Sequence, residues 1–200
     1  MNGLIIKIQS LMDSVSSSLS FLAPLALRLY LAPVFWIAGM NKVDSFPDIV
    51  TWFGNAEWGL GLPFPEVMAF LATSAEVGGA VLLLLGLGTR WATIPLMFTM
   101  FVAMTQVHWH NGWQAVHDLM SPWASDNASA ALERLAASKE LLQTHGNYEW
   151  LTEHGSLVVS NNGIEWAATY LIMLLALFVL GGGKFVSVDY WIRRRFMSAK

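Results

Sequence analysis

Apolar residues in this chain fall into long runs, separated by one short polar turn and two wide polar connections. A bilayer core of about 30 Å takes roughly 17–25 mostly apolar helical residues. Four stretches fit with at most one charge each: 22–40, 67–88, 91–107 and 166–183. Arg28 lies inside the first and Glu76 inside the second, while the third and fourth are uncharged. The pattern predicts an all-α integral membrane protein, a four-transmembrane-helix bundle forming a single domain over residues 1–200. Ahead of it, Lys7 precedes Ser-rich sequence instead of a continuous apolar core, so the stretch up to Ser20 reads as a retained cytoplasmic or interfacial segment.

The connections differ in investment. Residues 86–90 make a tight turn that holds spans two and three antiparallel. Residues 41–66 scatter Pro and Gly around Trp52, Phe53, Trp58 and Phe64, a turn-rich segment suited to a membrane surface. The insertion 108–165 holds one helix signal. Asp126 or Asn127 serves as N-cap, Ala131, Leu132, Leu135 and Leu142 lie on one side, Glu133, Lys139 and Glu140 lie largely on the other, and the helix ends near Gly146. This predicts an extra amphipathic helix outside the membrane, flanked by extended external loops.

Composition agrees with the pattern and narrows the chemistry. The chain is 55% hydrophobic and 12% charged, with a mean hydropathy of +0.49, well beyond ordinary soluble proteins. A net charge of −3 gives no general attraction to nucleic acid, and the absence of cysteine removes disulfide, iron–sulfur and thiolate-copper chemistry. Basic residues favour the cytoplasmic side. Lys7, Arg90, Lys184, Arg193, Arg194, Arg195 and Lys200 fall on one side of the four spans, against Lys42, Arg134 and Lys139 on the other, so both termini are assigned to the cytoplasm of a multi-pass inner-membrane protein. The run Arg193–Arg195 reads as an anchor to anionic headgroups.

Arg28 and Glu76 are the candidate intramembrane charged pair, because an ionised side chain near mid-membrane costs about 2.5–3.5 kcal/mol and calls for a partner. The pair serves either as a structural tie between two spans or as a proton or ligand site. Met100, Met104 and His108 recur every four residues, one face of a helix rising to the outer surface, with His110, His117 and Glu165 near its end. Thioether and imidazole suit Cu(I), so Met100, Met104, His108, His110 and Glu165 are the candidate metal contacts; the same residues also serve as core packing and interfacial polar groups. Asn55, Trp58, Trp109, Asn111 and Trp113 form a candidate external binding surface. His145 and His154 read as solvated surface, and Gly181–Gly183 follow a helix and so read as its C-terminal cap. No hydrolytic triad, phosphate-binding loop or dinucleotide fingerprint occurs, and the catalytic residues are unknown.

Arg28, Gly39–Met40–Asn41–Lys42, Ala75–Glu76–Val77–Gly78–Gly79, Gly183–Lys184 and Ser187–Val188–Asp189, in this order around four short spans, resemble a DoxX-type membrane protein over nearly the whole chain. Trp52–Phe53–Gly54–Asn55, Gly61–Leu62–Pro63–Phe64–Pro65, His108–Trp109, Asn111–Gly112–Trp113 and Asn161–Asn162–Gly163–Ile164–Glu165 further resemble the HvfX-like branch, found beside enzymes that modify small copper-binding peptides. The resemblance implies a bacterial inner-membrane protein in a redox or metal-handling setting and hands over no catalytic residue. Relatives that use cysteine pairs set no precedent here, since cysteine is absent.

Three functions follow as expectations. The first is an accessory protein for maturation, export or copper loading of a metal-binding modified peptide, with a protein or peptide partner on the external face. The second is a quinone-binding oxidoreductase subunit in which Glu76 accepts a proton and Arg28 polarises a quinone oxygen. The third is a structural membrane anchor.

Overall fold

A computed structural model of the chain describes residues 2–197; Lys200, counted above among the inner basic residues, lies outside them. Helices dominate: α1 (Asn2–Ser18), α2 (Leu22–Asp44), α3 (Phe46–Gly54), α4 (Pro65–Leu85), α5 (Thr89–Val102), α6 (Ala128–His145), α7 (Tyr148–Thr152), α8 (Glu165–Leu180) and α9 (Val188–Phe196). A π-helical turn (Ala103–His108) and a 3₁₀ turn (Trp109–Asn111) continue from α5. Among the described residues, strand-like pairing is confined to one antiparallel bridge between Val116 and Ser160. The chain divides into two compact units, one made of residues up to 99 together with those from 170 on, the other of residues 100–169.

In the first unit, α2 buries Pro24, Arg28, Leu31, Ala32, Phe35 and Gly39, and α4 buries Ala69, Thr73, Glu76, Gly79, Ala80 and Leu83. Both stripes repeat at three to four residues, the spacing that keeps one helix face against a neighbour. Small residues let the backbones approach. A Cβ at Gly39 would lie 2.7 Å from Val77 Cγ2, and one at Gly79 would lie 2.8 Å from Leu96 Cδ1. From α8, Leu174 and Leu177 are fully buried, and the Tyr170 ring meets Phe35 edge-on at 6.4 Å. The opposite faces leave Leu29, Ile37, Phe70, Leu84, Phe98, Ile172 and Val179 exposed, as lipid-facing helices do.

Helix bounds depart from the hydropathy pattern for local reasons. α2 runs four residues beyond 40 because hydrogen bonding continues through polar Asn41–Asp44 until Ser45. α4 starts earlier, at Pro65, whose missing N–H costs nothing in a first turn, and stops at Gly86, where φ is +65°. α5 ends at Val102, where the hydrogen-bond ladder widens into the π turn. α8 stops at Leu180 because Gly181, at φ +75°, caps it by donating to the Leu177 carbonyl, 2.7 Å away. Among the described residues, α2 and α4 are long and apolar enough to cross a membrane, with mean hydropathies of 1.5 and 1.9; α8 is apolar but shorter.

In the second unit, α6 occupies the expected position, with Asn127 as N-cap residue and Gly146 as C-cap. It lacks a side-chain cap bond, and its apolar side is shallow: only Ala128 is buried. The rest of this unit is held by loops 111–118 and 159–165, whose backbones are joined by hydrogen bonds.

Candidate functional site

The buried charges of the first unit find partners, though not each other. Glu76 is 4% exposed at its side chain, and its Oε2 accepts from Lys42 Nζ at 2.7 Å. The expected Arg28–Glu76 pair is thus replaced by Lys42–Glu76. Extension of α2 to Asp44 carries Lys42 past the apolar span while keeping it on the face of Arg28, two heptads earlier. Lys42 therefore reaches inward to the acid instead of standing free in an external loop.

Arg28 serves the far end of the same helix face. Its Nε donates to Leu83 O at 2.6 Å, Nη2 to Leu84 O at 2.8 Å, and Nη1 to Gly182 O at 2.7 Å and Val186 O at 3.2 Å. The last carbonyls of an α-helix lack intrahelical donors, and a guanidinium is a rigid fork of donors suited to satisfy several together. Gly86 makes room, because a Cβ there would meet Arg28 Cζ at 2.6 Å. Asp189 completes the arrangement from the other polarity: its carboxylate accepts from Gly88 N at 2.7 Å and Thr89 N at 2.9 Å, the start of α5, while its own N–H donates to Gly86 O at 3.0 Å. Ser187 caps α9 by accepting from Tyr190 N.

Beside this tie lies a cleft of about 440 Å³, lined by Gly181–Gly183, Arg90, Lys184 and Arg193 among others. Arg90 is held at its wall by donating Nε to Phe178 O and Nη2 to Val179 O, both at 2.9 Å.

In the second unit, Gly163 N donates to Gln114 O, Ile164 N to Gly112 O and Glu165 N to Trp113 O, at 2.8–2.9 Å. Gly163 tolerates no side chain, as a Cβ would fall 2.4 Å from Gln114 O. Asn161 Nδ2 donates to Asn111 O and Gln114 O, both at 2.7 Å, and Glu165 Oε2 accepts from Ala115 N at 2.8 Å. Asn162 adopts φ +56°, a left-handed conformation that Asn bears better than most residues, and its carbonyl accepts from Asn111 Nδ2 and His108 Nδ1. A second cleft, about 450 Å³, lies against Trp113, Gln114, Asp118, Glu165 and Trp166.

The metal candidates divide accordingly. Met100 stands in the last turn of α5, Met104 and His108 in the π turn, all half-buried, while His110 is exposed in the 3₁₀ turn. A carbonyl can only accept, so His108 Nδ1 is the donor in this bond and Nε2 lies outside it. Glu165 is committed to Ala115 N. Among the described residues, no three His, Asp or Glu side chains gather to hold a metal ion. His117 instead lies 3.1 Å from the Ser125 hydroxyl.

The external-surface candidates belong to different units. Asn55 closes a turn by accepting from Glu57 N and Trp58 N, and Trp58 is exposed. Trp109 is exposed, Asn111 is bonded to Asn162, and Trp113 packs against Trp123 with ring centroids 5.2 Å apart.

Lys42, Asp189 and the Gly182 and Val186 carbonyls are the partners that residue spacing missed. Lys42 was detectable, since Arg28, Leu31, Phe35, Gly39 and Lys42 share one helical stripe once the helix is drawn to Asp44. Asp189 lies a hundred residues from the N–H groups that it caps, beyond any local signal.

Taken together, these features describe a helical chain with membrane-length helices and an internally satisfied set of buried charges. Residues 23–109 match the family model of DoxX. The chain is also similar to the inner membrane protein YphA of Escherichia coli (strain K12), with 30% identity over 95 residues, 48% of this chain and 64% of that protein. It therefore spans somewhat less than two thirds of that relative's length. No solved structure matches.

Proposed function

We propose that this chain is a DoxX-type protein of the bacterial inner membrane that acts as an embedded accessory protein. Its apolar helices fix it in lipid, and the external insertion 108–165 serves as the recognition element for a protein or peptide partner. One observation carries this reading: Arg28, the basic residue inside the first apolar span, commits four of its five N–H donors to carbonyls of the chain itself. A quinone-polarising role would have to rely on the one N–H that remains, on Nη2. The DoxX match and the similarity to an inner membrane protein support the location.

Single cysteines test the topology, because the chain has none. Ser129→Cys should react with a membrane-impermeant maleimide in intact spheroplasts, and Ser14→Cys only after permeabilisation. The reverse pattern would refute the proposed orientation.

A second reading, transient contact with Cu(I) as cargo of the partner, is favoured by the anchoring of the His108 ring through Nδ1 to the Asn162 carbonyl, with Nε2 outside that bond. Anaerobic Cu(I) titration decides it: affinity should fall at least tenfold in His108→Ala, and an unchanged affinity would remove this reading.

A further inference from the structure

We propose that the 440 Å³ cleft in the first unit binds the headgroup of an anionic phospholipid; this rests on the membrane reading above. Arg90, Lys184 and Arg193 line it against a single acid, Asp189. Both Asp189 oxygens also accept from backbone, from Gly88 N and Thr89 N, and the lining carries three basic side chains to this one acid. Arg90 is oriented, not loose: its Nε and Nη2 are bound to Phe178 and Val179 carbonyls, which leaves Nη1 as a donor.

The wall of Gly181–Gly183 gives backbone in place of side chains. Gly181 and Gly183 take φ of +75° and +89°, and a Cβ at Gly183 would strike Pro24 Cγ at 2.9 Å. The space suits a glycerophosphate head by volume, since small-molecule sites run about 300–1,000 Å³. The lip is apolar and exposed, with Trp91 at 79% and Leu180 at 53%. A cation-rich recess with an indole and a leucine at its edge matches an amphiphile with an anionic head, and a free phosphate would leave that lip unused. α9 continues the theme, with Trp191, Ile192 and Phe196 exposed beside Arg193–Arg195.

Native mass spectrometry of the full chain from nanodiscs of phosphatidylglycerol, cardiolipin and phosphatidylethanolamine tests this. The wild type should retain an anionic lipid at least tenfold over phosphatidylethanolamine. Retention should fall about tenfold in Lys184→Gln with Arg193→Gln, fall in part in Lys184→Gln alone, and persist in Lys139→Gln. Equal retention in the cleft variants would overturn the site. Thermal stabilisation of the wild type by inorganic phosphate, with no lipid retained, would overturn the lipid assignment. A chain that labels with the proposed topology yet retains no anionic lipid refutes the cleft alone; a chain absent from the membrane fraction refutes both proposals.

Discussion

Lys42 and Glu76 meet at 2.7 Å across α2 and α4 with unequal burial, 22% exposed for the lysine and 4% for the acid. The inequality makes the two halves of the pair respond differently to substitution. Lys42→Met strands a carboxylate in the bundle, where loss of one buried partner costs about 3–5 kcal/mol. Glu76→Gln leaves a lysine that can swing its ammonium outward, and should cost less than half as much. The double variant should recover most of the loss. Unfolding in mixed micelles checks the order, and equal losses in the two single variants would contradict this geometry.

Arg28→Lys retains the charge but not the fork. An ammonium has three donors on a point-like head and cannot serve carbonyls from the end of α4 and the segment after α8 together. With each abandoned buried carbonyl costing about 1–3 kcal/mol, Arg28→Lys should lose at least about 2 kcal/mol. Limited proteolysis should then cut first between residues 181 and 188, and wild-type resistance there would refute the tie.

Two glycine contacts predict opposite rescue behaviour. At Gly79 the three atoms nearest a methyl all belong to the Leu96 side chain, so the penalty of Gly79→Ala, about 1–3 kcal/mol, should largely disappear with Leu96→Ala. At Gly39 it would also meet the Val77 backbone nitrogen at 3.0 Å, so Val77→Ala should restore Gly39→Ala only in part. Melting temperatures of the four variants and two pairs decide this.

Asn161 holds two carbonyls with one amide, so Asn161→Asp should be worse than Asn161→Ala: it turns an acceptor toward both. Hydrogen exchange over residues 111–118 should rise in the order wild type, alanine, aspartate. An alanine variant as fast as aspartate would show that the amide is not the restraint.

The residue pattern placed a helix between Asn127 and Gly146, a turn at residues 86–90 and a glycine cap at Gly181–Gly183, and the structure has α6, the end of α4 and the end of α8 at these places. The pattern failed at Lys42 because hydropathy ends a span at the first polar residues, whereas hydrogen bonding carries the helix to Asp44. The need of Arg28 for partners was legible from its cost in lipid, but their identity was not. Backbone carbonyls have no signature in residue types, and those of Gly182 and Val186 come from more than 150 positions away.

The bonds from Gly88 and Thr89 to Asp189 also have a meaning in time. The ribosome delivers the turn between α4 and α5 a hundred residues before the carboxylate that closes it. At roughly 5–20 residues per second, that hairpin waits about 5–20 s with its amides unclaimed. Asp189 is therefore a latch set late in synthesis, and until it arrives the nascent bundle lacks its final fastening.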